Sequence, residues 1–486
     1  MIRPDLDHLE LSLPANYTPA EVALAKTLFF QYLAESAHRF YHGKIQIMPK
    51  VPLPGFNWFN VWYTPGVSRV STSIRDCAEE SYELTNRGNL VAIVSDSTRV
   101  LGDGDVTVPG GLGVMEGKSF LMKFLGGIDA VPICIDSRNL DGMPDADIIV
   151  DFVKRIRFSF GAVNLEDISQ PNCYRVLDRL RAECDIPVWH DDAQGTASVL
   201  LAGLLNALKI VGKNLADVRI VYLGAGASNT ACARLIHQCG ADPGRAVMFD
   251  KDGALTRQRR DFESDPRYHQ QWELCRITNP RSIIDLAKAI SGADILIAFS
   301  RPGPHAINPA WIASMARSPI VFACANPVPE IYPAEAKQAG AFIVGTGRGD
   351  FSNQVNNSMG FPGILKGALL VRARAITDAM AIAAARSLAR TAENRGLDPD
   401  RIVPAMDEPD VFAQEAAAVG CQAIQDSVAG RHLAYDEIFR IAKADIETAH
   451  RSYEALIHDG IIREMEASEI QAVLDRVIRE INGRGQ

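Results

Sequence analysis

No stretch of this 486-residue chain reads as a membrane span. The most apolar run, Thr196 to Val211, is broken by Asn206 and Lys209 and falls short of the roughly 20 residues a bilayer requires. Basic charge is also scarce: 50 Lys and Arg stand against 59 Asp and Glu, a net charge of −9. That argues against a nucleic-acid groove, which needs a basic face. The nine cysteines, scattered from Cys77 to Cys421, form no C-x-x-C pair, so structural zinc and dithiol redox motifs are not expected. Unpaired spacing of this kind reads as reduced thiols of a cytoplasmic protein. Met1 to Leu13 carries several acids and no apolar core, so no signal peptide is expected. What remains is ordinary globular composition, 47% hydrophobic and 22% charged, in a chain long enough for two to four domains.

The apolar pattern alternates between short runs and longer helical stretches, which predicts an α/β layer architecture. Strands are expected at Val91–Val94, Ala130–Ile135 and Ile186–Trp189, and helices at Pro19–Tyr41, Met115–Leu125 and Cys173–Cys184. Thr196–Val211 is apolar on nearly all sides and predicts a buried helix ended by Gly212. A doubly wound region follows, with strands at Arg219–Leu223, Ala246–Phe249, Ile295–Phe299, Ile320–Ala323 and Ala341–Val344. One long helix is expected over Leu365–Ala389, and a charged helical tail from about 430.

Three features carry chemistry. Gly224-Ala225-Gly226-Ala227-Ser228-Asn229 follows a strand and opens a helix. There the first glycine makes a turn and the second admits a pyrophosphate to the helix N-terminus. Asp250 ends the next strand, where a carboxylate accepts hydrogen bonds from a ribose diol and favours NAD. Lys251, Arg257, Arg259 and Arg260 are placed to reach a 2′-phosphate instead. Secondly, Glu166-Asp167 and Asp191-Asp192 each follow a strand. Such acids brought together would repel unless a cation such as Mg²⁺ or Mn²⁺ lay among them. Thirdly, Lys118 falls on the apolar side of its helix with Val114 and Leu121. Burial there predicts a lowered pKa, suited to a general base, with snorkelling as the competing reading.

Taken together these residues resemble the malic enzymes. The resemblance rests on Tyr63-Thr64-Pro65-Gly66-Val67, Val94-Ser95-Asp96, Val100-Leu101-Gly102 and Val114-Met115-Glu116-Gly117-Lys118. It continues through Asn164-Leu165-Glu166-Asp167, His190-Asp191-Asp192, Gln194-Gly195-Thr196-Ala197 and Gln354-Val355-Asn356-Asn357, all in the family's order. It implies oxidative decarboxylation of malate, or of a malate analogue, to pyruvate and CO₂ with NAD(P)⁺ and Mg²⁺ or Mn²⁺. It further implies Lys118 as general base, Tyr63 as general acid and Asp191 as the acid supporting the lysine. Glu166, Asp167 and Asp192 match metal ligands, and Arg99, Asn326 and Asn357 match substrate-holding positions. Gly224, Gly226, Ala227, Ser228, Asn229, Asp250, Lys251 and Asn326 are the expected nucleotide contacts. A homodimer is also implied.

This chain departs from the family pattern at Ser97, where glycine is usual, and at Asp103, Gly110-Gly111 and Ala193. Phe56, Trp58, Phe59 and Trp62 crowd the positions before Tyr63. Those rings are expected to line an altered substrate pocket or to cover it from a neighbouring subunit, the competing reading being that they only pack the N-terminal segment onto the core or a dimer interface. The expected organisation is an N-terminal substrate and metal α/β domain (1–195), a Rossmann-like NAD(P)-binding domain (196–428) and a helical extension (429–486). The alternative to an enzyme is a non-catalytic nucleotide-binding regulator of the same fold.

Overall fold

The computed structural model describes residues 4–484 apart from 101 and 409. Leu101 of the Val100–Gly102 motif and the first three residues of the N-terminal segment lie outside the described residues. Two compact units are formed, one from residues 1–50 with 449–486 and the other from 51–448.

The larger unit holds two sheets. The first contains β1 (Leu90–Ser95), β2 (Asp129–Cys134), β3 (Ala162–Leu165) and β4 (Val188–His190), all parallel, in the order β2-β1-β3-β4. Val91 pairs with Ala130 on one side and with Ala162 on the other. The second contains β5 (Ile220–Leu223), β6 (Ala246–Asp250), β7 (Gly253–Ala254), β8 (Ile295–Ala298), β9 (Ile320–Ala323) and β10 (Ile343–Thr346). Its order is β10-β9-β8-β5-β6-β7, parallel except for the β6–β7 hairpin. Strands β1, β3, β4 and β8 to β10 are short, apolar and largely buried, as expected of parallel strands covered on both faces, while the edge strand β2 is half-buried. In each sheet the chain runs outward from a central strand and returns to its other side. The crevices at those reversals, beyond β1/β3 and β5/β8, are where an open α/β sheet places ligands.

The Thr196–Val211 helix joins the two sheets and ends at Gly212 in the left-handed conformation, φ 67°. It occupies the span expected. A π-type turn, Asp191–Gly195, precedes it, and the joined 21-residue run is long and apolar enough to cross a membrane by length and composition alone. Of its most apolar window, 78% is buried inside the fold, as in a core helix.

The single helix expected over Leu365–Ala389 is two, Phe361–Leu370 and Asp378–Arg395. Between them Arg372 takes a positive φ of 48°, and the Thr377 hydroxyl caps the second helix by accepting from the Met380 N–H. Apolar residues continue through the break, so periodicity could not reveal it. The first fifty residues also depart from the expected 1–195 division. Leu9, Ala25 and Phe29 bury against Ile470, Val473, Leu474 and Val477 of the tail. The Tyr32 hydroxyl donates to Glu480 at 2.6 Å.

Glu415, on the Val411–Gln425 helix, is wholly buried, and neither carboxyl oxygen has a hydrogen-bond partner among the described residues. A Cβ on Gly363 would meet its Oε2 at 2.2 Å, so glycine is what makes room for it. Burial, reinforced by the nearby Asp191 carboxylate, pushes its pKa well above the usual range. The raised folded pKa gives a signed expectation. Below about pH 4.5 folded and unfolded chains both hold the proton; above it only the unfolded chain ionises freely, at a cost of about 1.4 kcal/mol per pH unit until the folded pKa is reached. Glu415→Gln should therefore raise the thermal midpoint more at pH 8 than at pH 5. An equal shift at both values would contradict a neutral, buried Glu415.

Candidate active site

Strand alternation and strand ends assemble the site. At the end of β3, Glu166 and Asp167 leave the sheet, and Asp167 turns the chain with φ 53°. At the end of β4, the π-type turn carries Asp191 and Asp192. Gly195 is required there, since a Cβ would lie 1.9 Å from Asp191 Oδ1. The Asp167 N–H donates to Asp192 Oδ2 at 2.8 Å, tying the two acid pairs together. One ligand oxygen from each of Glu166, Asp167 and Asp192 lies within 4.8 Å of the others.

Lys118, on the Leu112–Gly126 helix, is buried with its ammonium against this cluster. Nζ is 2.5 Å from Asp191 Oδ2 and 2.8 Å from Glu166 Oε1, with the Phe361 ring centroid at 4.4 Å. The lysine reaches carboxylates, not solvent, so snorkelling does not describe it. The expected fall in its pKa is corrected as well. Burial pulls the pKa down, but Asp191, Glu166 and Asp192 outweigh it and hold the ammonium above the ordinary lysine range. Burial pushes Asp191 up to about 7 against the pull of Lys118, and Glu166 likewise to about 7. With Glu166, Asp167, Asp191 and Asp192 around one lysine, the cluster has an excess of negative charge that a buried site cannot keep uncompensated. A divalent cation fits that excess, and an all-oxygen donor set suits Mg²⁺ or Mn²⁺.

Two residues that the sequence reading passed over fix these acids. Asn164 Nδ2 donates to Glu166 Oε2 at 2.8 Å, and Trp189 Nε1 donates to Asp191 Oδ1 at 3.1 Å. Each lies two positions before the acid it serves, the period-two spacing that puts side chains on one side of a strand. Glu330, also unremarked in the sequence, is buried and accepts from the N–H groups of Ser300 and Ala325 at 2.7 and 3.0 Å. It thereby anchors the turn that carries Asn326.

The positions expected to hold substrate lie near this cluster or the loop of Arg99. Arg99 is exposed, its N–H donates to the Asp167 carbonyl at 3.0 Å, and its charge acts on Asp192. Gly102 approaches Asn326, whose carbonyl lies 3.1 Å from where a Gly102 Cβ would sit. Asn357 Cβ would be 3.3 Å from a Gly195 Cβ. The departures at Ser97 and Gly111 explain one another. Ser97, at φ 58°, donates to the Val108 carbonyl at 3.0 Å, and its Oγ would lie 2.1 Å from a Cβ on Gly111. A serine in one loop thus requires a glycine in the other.

Tyr63 has no hydrogen bond or ring contact with Lys118 among the described residues. It is 71% exposed, and its hydroxyl has no hydrogen bond among the described residues. The rings before it are also at the surface: Phe56 stacks on Phe59 and Trp58 on Trp62.

At the second sheet, Gly224 has φ 99° and its Cβ would lie 2.3 Å from the Phe299 carbonyl, so only glycine fits. Nothing lies within 4 Å of a Gly226 Cβ, and no side chain caps the Ala227–Gln238 helix. Open space over free helix N–H groups fits a dinucleotide pyrophosphate. Two expected nucleotide contacts have other partners for their side chains. Ser228 Oγ donates to the Asp192 carbonyl at 2.8 Å, joining the nucleotide helix to the acid cluster. Asn229 is buried, and its Nδ2 donates to the carbonyls of Gly224 and Leu223 at 2.8 and 3.2 Å. Its amide ties helix to strand where a third glycine would otherwise allow close packing. Ala227 opens the helix, and Lys251 lies exposed in the hairpin after Asp250.

A dinucleotide-type sheet set beside a lysine and a carboxylate cluster whose oxygens fit a cation defines a two-domain α/β protein of the nucleotide-binding class. The family descriptions agree: "Malic enzyme, N-terminal domain" matches residues 42–181 and "Malic enzyme, NAD binding domain" residues 193–424. A crystal structure of an Entamoeba histolytica malic enzyme is 58% identical, with a TM-score of 0.96, covering 99% of this chain and 100% of that one. The NAD-dependent malic enzyme of Geobacillus stearothermophilus is 42% identical over 388 residues, 80% of this chain and 78% of its own. The NADP-dependent malic enzyme of Halomonas elongata is 40% identical over 347 residues, 71% of this chain and 78% of its own. The chain belongs to the malic enzyme family.

Proposed function

We propose that the protein oxidatively decarboxylates malate to pyruvate and CO₂, using NAD⁺ and a divalent cation. The observation that carries this reading is Lys118, held 2.5 Å from Asp191 and 2.8 Å from Glu166 beside three clustered carboxylates. When bound, the nicotinamide accepts hydride from C2 and the cation acts as a Lewis acid on the C2 oxygen. With a cation offsetting the carboxylate field that keeps Lys118 charged, the lysine releases its own proton to solvent and, as the neutral amine, takes the hydroxyl proton, oriented by Asp191, which the Trp189 indole fixes. Glu166, Asp167 and Asp192 hold the cation, while Arg99, Asn326 and Asn357 hold the substrate carboxylates. A nucleotide-binding regulator would have no use for the lysine and its carboxylate partners. The test is NAD(P)H formation from malate with and without Mn²⁺.

The preference for NAD⁺ is supported by the arginines near Asp250, each of which is already engaged. Arg257 donates to the Arg276 carbonyl, Arg259 to Asp250 and Asp261, and Arg260 to Glu263. Arg259 Nη1 and the exposed Lys251 remain as donors, so the preference rests on the Asp250 carboxylate and on the arginine contacts that are already made.

Protonating the C3 carbon after CO₂ loss requires an acid, and Tyr63 is the family's match. Its exposure, with that of Phe56, Phe59 and Trp62 around it, supports a homodimer in which this segment covers the site of a second copy. Mixing Lys118→Ala with Tyr63→Phe chains then separates the cases. Random pairing should restore about a quarter of wild-type pyruvate formation, because half the dimers carry one intact site. No recovery on mixing two inactive variants would place Tyr63 with its own Lys118, and an active Tyr63→Phe chain would place it outside catalysis.

A further inference from the structure

Asp250 ends β6 beside the glycine turn, whose Gly224 N–H donates to the Phe249 carbonyl at 2.7 Å. The β6–β7 hairpin folds directly after it, pairing Asp250 with Gly253. Each oxygen of the Asp250 carboxylate already has one donor. Oδ1 accepts from the Asp252 N–H at 2.8 Å, and Oδ2 accepts from Arg259 Nη2 at 2.7 Å. A carboxylate takes about four hydrogen bonds, so a fixed pair of lone pairs remains to be offered. Arg259 is itself locked. Nε and Nη2 donate to the two oxygens of Asp261 at 2.9 and 2.6 Å, and the guanidinium lies 4.3 Å from the Phe262 ring centroid. Only 14% of its side chain is exposed. The three side chains together carry a net charge of −1.

We propose that Arg259 is a specificity-determining positioning residue. It pins the Asp250 carboxylate to receive the adenosine-ribose diol and, shared between two acids, leaves the site anionic and hostile to a 2′-phosphate. This rests on the reading of Gly224–Asn229 as the nucleotide turn. One observation favours the opposite role and must be met by the test. Arg259 Nη1 is buried with no hydrogen-bond partner among the described residues, so the guanidinium keeps one donor for a phosphate.

The experiment measures Kd for NAD⁺ and NADP⁺ by titration of the full chain, together with KM and kcat for both. Wild type, Arg259→Gln, Arg259→Lys and Asp250→Asn are compared, with circular dichroism confirming the fold. In Arg259→Gln the NAD⁺ Kd and KM should rise about tenfold, the worth of roughly one charge-assisted hydrogen bond. NADP⁺ binding should not improve, since Asp250 loses its compensating charge, and kcat at saturation should change far less than KM. Arg259→Lys should restore part of the NAD⁺ affinity, and Asp250→Asn should narrow the gap between the nucleotides. The proposal is overturned if Arg259→Gln weakens NADP⁺ alone, moves neither nucleotide, or lowers kcat with both Kd values unchanged. Should wild type bind neither nucleotide, the nucleotide reading itself fails. Should wild type bind both while Arg259→Gln leaves their ratio unmoved, only the role of Arg259 falls.

Discussion

Lys118→Ala is expected to lower NADH formation from malate by about 10²–10⁴-fold, the usual contribution of a positioned general base. The expectation follows from where the ammonium sits. It is buried, and its partners are Asp191 and Glu166 at 2.5 and 2.8 Å with Asp192 acting on it from nearby. No other lysine enters the cluster among the described ion pairs, so nothing stands ready to replace it. Removing the side chain also leaves Asp191 facing Glu166 without the cation that separates them, and both carboxyls should take up protons more readily. The loss should therefore appear in kcat, while NAD⁺ binding, which depends on Gly224 and Gly226, stays intact. A variant that keeps kcat within tenfold of wild type would remove Lys118 from the role of base.

The second large effect concerns the cation. Glu166, Asp167 and Asp192 bring their oxygens within 4.8 Å of one another, and excess EDTA should silence the enzyme, with Mn²⁺ restoring it. Asp192→Asn is the sharper form of the test. Its remaining carbonyl oxygen can still accept from the Asp167 N–H, as the carboxylate does at 2.8 Å, so the loop should hold its shape. What is lost is one negative charge toward the cation. Outer-shell changes cost about 10–100-fold in metal affinity, so loss of a ligand should raise the Mn²⁺ Kd by at least about 100-fold. Calorimetric titration of Mn²⁺ measures this directly, independently of turnover. Unchanged Mn²⁺ affinity in Asp192→Asn, or full activity in EDTA, would rule out this carboxylate cluster as the cation site.

Local pattern carried much of the fold. Thr196–Val211 is apolar all round and ends at Gly212, and the helix occupies that span. The nucleotide turn was legible because a strand, two glycines and a helix follow in a fixed order, and Gly224 must adopt a positive φ. The break after Leu370 was not legible, because its cause is packing. Gly367 lies so close to the Ala416 carbonyl that a Cβ would sit 2.4 Å away, and the chain then reverses through Arg372. Nor could the pattern show that the first fifty residues pack with the tail, since an amphipathic helix does not name its partner.

The site divides in the same way. Sequence by itself determined which residues carry chemistry, because residue type and motif order are properties of the chain: a lysine on an apolar helix face, acids at two strand ends, a glycine turn before a helix. Tertiary structure decided how they act on one another. Lys118 sits on one helix, Glu166 and Asp167 follow β3, and Asp191 and Asp192 follow β4. Only the parallel pairing of β3 with β4 puts both acid pairs at the same sheet edge. That proximity reversed the expected shift at Lys118, since the field of neighbouring carboxylates outweighs desolvation there. The same holds for Asp250, whose carboxylate could be seen in the sequence, whereas its capture by Arg259 depended on a hairpin that folds the chain back on itself.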